Sequence, residues 1–211
     1  MTKHNTDIID TRGLHDHEKP AFIAMGEALS ERYELKFEKN IDINSGDLEM
    51  CKGYSSFEIR NGLRVSEAPF FARLAIIRVS YDSVTGKLYR KDNITEHQTW
   101  GHIHLKKDYG HVLLKHETLR EKLLELFHVA EIDFEEDPEF SKHFYLLASD
   151  QDKARRLFDP ALRDAFKAFP SGYCEAEILG NKLVIATKRA LNTDDALSIT
   201  EFLETLIEKQ C

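Results

Sequence analysis

The chain has 211 residues, of which 42% are hydrophobic and 31% charged, with a formal net charge of −8. That length suits one sizeable domain or two small ones, and the mix is that of a globular protein with thirteen Phe and seven Tyr to build a core. So acidic a chain gains little from neutralising phosphates, which disfavours non-specific nucleic-acid binding.

Residues 1–19 are polar, with Gly13 and three histidines, and read as a loose N-terminal arm. Pro20 then stands where a first helical turn tolerates it, and Phe22, Ile23, Met25, Leu29 and Tyr33 follow at near-helical spacing, predicting an amphipathic helix over 20–33. A strand-rich half comes next. Leu35 and Phe37 alternate with Lys36 and Glu38, and Phe57 and Ile59 repeat the pattern over 55–60. The run FFARLAIIRVSY over 70–81 is rich in β-branched and aromatic residues. Thr85-Gly86-Lys87 signals a turn, with short returning strands at 88–90, 99–105 and 112–114.

Beyond residue 117 the character changes. Residues 119–127 have helical spacing and 129–134 alternate as a strand. Asp137-Pro138 and Asp159-Pro160 each pair a capping residue with a first-turn proline, and Asp150 precedes a third short helix. Phe140 and Phe144 fall four apart, on one helical face, before an extended Tyr145–Ala148. Cys174, Ala176 and Ile178 alternate with Glu175 and Glu177. Gly180-Asn181 is a tight-hairpin dipeptide, and 183–186 returns as a buried strand. Thr193 is the expected cap of a last helix with an apolar stripe at Ile199, Phe202, Leu203, Leu206 and Ile207.

Strands and helices do not alternate regularly, so the expectation is an α+β fold. It has a mainly antiparallel, twisted sheet, helices packed on one face and a C-terminal amphipathic helix. A single domain over 20–211 is expected, with a soft sub-boundary near 117. Cys51, Cys174 and Cys211 form no CxxC pair, which argues against a zinc ribbon, a thioredoxin-type site or a disulfide framework and for a reducing compartment. The N-terminus carries no signal-peptide run. The longest apolar stretch, 68–79, is broken by Arg73 and Arg78, so no segment reaches the ~20 apolar residues of a membrane span. A soluble, cytoplasmic location is expected.

The run EDPEFSKHFYLLASDQDKARRLFDP, Glu136 to Pro160, resembles the bacterial domain-of-unknown-function family 3137. Glu136, Asp137, Glu139, Phe140 and Phe144 are similar to its acidic-aromatic stretch. Asp150, Ala154, Arg155, Leu157 and Pro160 resemble the next stretch of the family pattern, and Gly180-Asn181 with Leu183-Val184-Ile185 resembles its hairpin. The likeness covers roughly residues 96–190. It implies a fold rather than an activity. The matching residues also have a structural reading, in which the Phe pair builds core, the Asp-Pro pairs cap helices and Arg155 meets a nearby carboxylate.

Ten histidines occur, five of them between His97 and His116. His102 and His104 form an H-x-H on an expected strand, so both imidazoles share a face, an arrangement that suits zinc or another first-row divalent metal given a third ligand. His111 is the candidate third ligand, with His97 and Asp108 as alternatives. The G-H-x-H at 101–104 lacks the companion elements of metallophosphoesterases. Lys106, Lys107 and Asp108 stand after it, where a cupin has a nearby Glu in a glycine-proline context. No G-x-S-x-G, G-x-G-x-x-G or G-x-x-x-x-G-K-[ST] motif is present. Glu135, Glu136, Asp137 and Glu139 read as a solvated acidic edge. Lys106, Lys107, His111, Lys115 and His116 make a basic stretch near Trp100 and Tyr109, a candidate surface for an anionic ligand or an acidic partner.

With no convergent reactive set, the leading expectation is a non-enzymatic binding or protein-interaction module, with a protein partner or a second copy of itself, without cofactor, nucleic acid or membrane span. The alternative is a metal-dependent hydrolase or metal sensor built on His102 and His104. A third reading places a small ligand between the sheet and the C-terminal helix.

Overall fold

A computed structural model describes residues 11–67, 70–85, 90–116, 130–169 and 174–210. Its elements run α1 (Lys19–Ser30), β1 (Glu34–Phe37), a 3-10 turn (Glu49–Cys51), β2 (Ser56–Glu67), β3 (Phe70–Thr85), β4 (Arg90–His104), β5 (His111–His116), β6 (Ala130–Glu131), α2 (Pro138–His143), β7 (Phe144–Ala148), α3 (Gln151–Leu157), α4 (Pro160–Lys167), β8 (Glu175–Leu179), β9 (Lys182–Ala186) and α5 (Thr193–Gln210). The expected helix over 119–127, the turn at 86–87, the soft boundary near 117 and Cys211 lie outside the described residues. So does most of the expected arm: of residues 1–19, those from 11 onward are described, and they form turns leading into α1.

Among the described residues the strands join one nine-stranded sheet in the order β1-β2-β3-β4-β9-β8-β5-β7-β6, with each of these pairings antiparallel. This is the expected α+β class. The β4–β9 and β8–β5 pairings knit the two halves of the sequence into that sheet. Strand lengths depart from the sequence reading. β2 and β4 are longer than their apolar signatures, because β3 offers a continuous ladder from Arg73↔His102 to Thr85↔Arg90 that polar residues also join. The expected strand at 129–134 shrinks to Ala130–Glu131, although Ile132 and Phe134 are buried just beyond it.

Alternation along the strands sends side chains to two apolar layers. On one face Leu63, Leu74, Ile103, Leu114, Ile178 and Ile185 pack with Phe22, Met25 and Leu29 of α1 and with Ile199, Leu203 and Leu206 of α5. On the other face Ala75, Ile77, Val79, Trp100, Leu147 and Val184 pack under Ile41, Ile43, Leu48, Met50 and Cys51. Residues 38–55 therefore form a strap across the second face. Covered on both sides, β7 is buried at every position, which explains why FYLLA does not alternate.

The helix starts follow the sequence closely. Asp137, Asp150 and Asp159 accept hydrogen bonds from the backbone N–H of Phe140 (3.1 Å), Lys153 (3.0 Å) and Leu162 (2.7 Å). The cap of α5 is Asn192 rather than Thr193: Asn192 Oδ1 accepts from Asp195 N at 2.9 Å, and Thr193 is already the first helical residue. Gly180 takes φ +64° in the β8–β9 turn, as the Gly-Asn dipeptide requires.

Gly101 is where α5 meets β4. A Cβ there would overlap Ile199 Cγ2 and sit 2.9 Å from Leu203 Cδ1. Gly101→Ala is therefore expected to destabilise the fold by about 1–3 kcal/mol through overpacking, measurable as a lowered midpoint in urea unfolding.

Candidate functional site

The most unusual chemistry lies where the strap meets β8 and β9. Glu177 has no exposed surface, yet its carboxylate accepts from Glu49 N (3.0 Å), Met50 N (2.9 Å) and His111 Nε2 (2.6 Å). Lys188 donates to Met50 O at 2.7 Å and pairs with Glu175 at 2.7 Å, with Lys115 at 3.8 Å from the same carboxylate. Burial lowers the Lys115 pKa against the pull of Glu175. Tyr54 Oη and Trp100 Nε1 both donate to Gln98 Oε1, at 2.9 and 3.1 Å. Cys51 sits among these groups with its thiol pushed up by burial to about 12, so it is protonated and packs as an apolar side chain.

At the other end of the strap, Asp42 accepts from Lys182 Nζ at 2.5 Å, and that ion pair holds the Asp42 carboxyl below its usual range. Beside it a small cleft of about 120 Å³ opens between strap and hairpin. Ile43, Leu48, Leu179 and Val184 make its apolar walls, and Asn44, Asp47 and Lys182 its polar rim. Val184 is directly opposite His102, and Lys182 opposite His104, so these side chains share the strap face of the sheet. His102 is 1% exposed, and neither of its ring nitrogens has a hydrogen-bond partner. Burial, reinforced by His104, Arg73 and Lys182, lowers its pKa to about 4, so it is neutral at pH 7.

The expected metal set does not assemble as proposed. His102 and His104 are neighbours, with ring centroids 5.0 Å apart. His111 lies three strands away in the sheet, about 14 Å at normal strand spacing, and is held by Glu177. Asp108 accepts from Gly110 N at 2.7 Å in the loop after β4, and His97 points to the opposite face, toward α1. Among the described residues no group of three or more His, Cys, Asp or Glu side chains is arranged to hold a metal ion.

The basic stretch also divides. Lys106 and Lys107 are exposed, but Trp100 is fully buried under the strap and offers no surface, while Tyr109 packs against the helix-side core. Lys115 is buried against Glu175. The expected ligand space between sheet and C-terminal helix is packed at Gly101, which contacts Ile199 and Leu203 closely.

The acidic edge divides too. Glu135 and Glu136 do face an open cleft of about 400 Å³, with Glu131, Asp133 and Arg155. Asp137 is instead buried, bonding Arg163 Nε at 3.0 Å and Lys167 Nζ at 3.1 Å. Arg155 donates to the Asp133 backbone carbonyl at 3.1 Å rather than to a carboxylate.

Sequence reasoning missed Glu175, Glu177, Lys182 and Lys188. The alternation over 174–179 put the two glutamates opposite the apolar residues, which reads as a solvated face. They are buried because the strap lies over them.

No helix among the described residues is long and apolar enough to cross a membrane. The chain matches no protein-family model and no curated protein sequence. Among solved structures it is similar to the mycobacterial trehalose monomycolate transport factor A, TtfA, with a TM-score of 0.51 and 13% identity over 92% of this chain and 96% of that one, a likeness of fold.

Proposed function

We propose that this chain is a non-enzymatic binding module whose ligand is a small molecule seated between the strap and the β8–β9 hairpin. One observation carries the reading: His102, buried and neutral, keeps a ring donor and a ring acceptor without partners directly across from Val184, one of the apolar walls of the cleft. A buried polar group left unpaired costs about 1–3 kcal/mol, and such groups mark places where a ligand or ordered water completes the bonding. Lys182 and Asp47 at the rim offer both signs of charge to a polar end group. The described thiols, Cys51 and Cys174, are buried with raised pKa, which supports binding over turnover. A fold shared with a protein named as a transport factor is compatible with an accessory role.

The test is a two-dimensional NMR screen of the intact chain against small carboxylates, amides and short amphiphiles, repeated with zinc. Shifts are expected to cluster at Ile43, Leu48, Leu179, Val184 and the His102 ring, and to vanish in Val184→Trp, which fills the cleft. Hydrolytic turnover lost in His102→Ala would replace this reading with an enzymatic one, and shifts confined to other surfaces would overturn it.

A further inference from the structure

The nine-stranded sheet ends on β1, which has β2 on one side and no strand on the other among the described residues. In an antiparallel pair only alternate residues exchange backbone hydrogen bonds with the neighbouring strand. Glu38 N donates to Gly62 O at 2.9 Å, so in the same register Lys36 and Glu34 bond across to Arg64 and Ser66. The backbone N–H and C=O groups of Leu35 and Phe37 therefore point away from β2, an edge of the kind that a further strand completes.

The side chains of β1 sort by face. Leu35 joins the helix-side core, and Phe37, on the same face, is 39% exposed. Glu34 and Lys36 lie on the strap face, both exposed, and pair with each other at 2.9 Å. A short charged edge ordinarily resists pairing. Here the two charges have opposite signs and flank Leu35, so the strand complements itself when turned round. A twofold axis at Leu35 places Glu34 of each copy opposite Lys36 of the other, in the position where facing side chains come closest. Leu35 then exchanges two backbone bonds with Leu35 of the second copy. The Phe37 N–H meets the Tyr33 carbonyl of that copy, and the Phe37 ring falls diagonal to its Leu35.

The neighbouring registers fit worse. An axis at Lys36 sets Lys36 against Lys36 and Glu34 against Glu38. An axis at Phe37 pairs Leu35 with Lys39, beyond the end of β1, and calls on Glu38, which already holds Arg73 Nε at 2.8 Å. The strap-face row points the same way: Arg73, Arg64 and Lys36 stand abreast on β3, β2 and β1, so the place next to Lys36 favours an anion.

We infer that β1 is a self-association edge, through which two copies of this chain join antiparallel over Glu34–Phe37 into one continuous sheet. The contact is strand-sized, so the dimer is weak, with a Kd on the order of 100 μM. The ion pairs choose the register more than they add affinity.

The experiment follows sedimentation of the intact chain from about 10 μM to about 1 mM, with hydrogen exchange at both ends of the range. A reversible monomer–dimer equilibrium is expected, and the Leu35 and Phe37 amides should gain protection as the concentration rises. Lys36→Glu and Glu34→Lys, both at exposed positions, set like charges opposite each other, and each is expected to self-associate about tenfold more weakly or worse with unchanged circular dichroism. An equimolar mixture of the two variants faces Glu with Lys at both positions and is expected to regain association. A chain that stays monomeric throughout, undiminished association in either single variant, or a mixture no better than its components would refute the inference.

Discussion

Glu177→Ala is expected to destabilise the protein by about 3–5 kcal/mol, the cost typical of breaking one side of a buried charged network. The carboxylate satisfies two backbone N–H groups and an imidazole at once, and alanine leaves all three without that acceptor inside the protein. Glu177→Gln keeps one acceptor oxygen and is expected to lose less, about 1–2 kcal/mol. Urea unfolding measures the difference. Hydrogen exchange adds a local signature: the Glu49 and Met50 amides should lose protection in the alanine variant before the β3–β4 ladder does. Equal loss of protection everywhere would mean that Glu177 supports the whole sheet and not the strap in particular.

The second large effect is a fall in stability on mild acidification. His102 titrates at an ordinary value of 6.5 when unfolded and at about 4 when folded. Between those values the unfolded chain binds the extra proton, so stability is at its plateau above pH 6.5, declines as the pH falls, and levels off below about 4. The difference corresponds to a loss on the order of 3 kcal/mol. His97, lowered in the same direction, adds to the slope. In His102→Leu the decline should become shallower, and the protein should be more stable than the unaltered chain at pH 5. A slope unchanged in that variant would assign the acid sensitivity to His97 and the carboxylates. The carboxylates act at lower pH. Burial opposes the charge of Asp137, but Lys167 and Arg163 hold its pKa below 3.8, so its contribution is present above that value and is lost as the pH falls through the folded one.

Much of the architecture was legible because local rules and tertiary packing agree. Three Asp caps, the Gly-Asn hairpin and the alternation in 34–38 and 174–179 each specify an element with nearby residues alone. The C-terminal helix follows from its apolar stripe. The hidden parts depend on partners distant in sequence. β4 extends through Lys91-Asp92-Asn93 because β3 supplies hydrogen bonds, and no apolar pattern announces it. The strap has no strong periodicity at all. Its Ile41, Ile43, Leu48 and Met50 are spaced as a loop that happens to cover a sheet face, and only that cover turns Glu175 and Glu177 from surface residues into buried ones. The H-x-H at 102–104 was readable as two rings on one face. That His111 is engaged elsewhere follows from strand order, which places β9 and β8 between β4 and β5.

The strap and its seat lie 128 residues apart in the chain, measured from Glu49 to Glu177. During synthesis at roughly 5–20 residues per second, the segment around Met50 emerges on the order of ten seconds before the hairpin that receives it. From the emergence of Trp100 until that of the hairpin, the strap over Trp100 and its apolar neighbours on β3 lacks its Glu177 anchor, and the nascent polypeptide presents a greasy flank to chaperones and to other unfinished chains. Closure is thus a late, long-range event, and the yield of native protein in a cell should respond to translation speed and holdase supply more than its final stability alone would indicate.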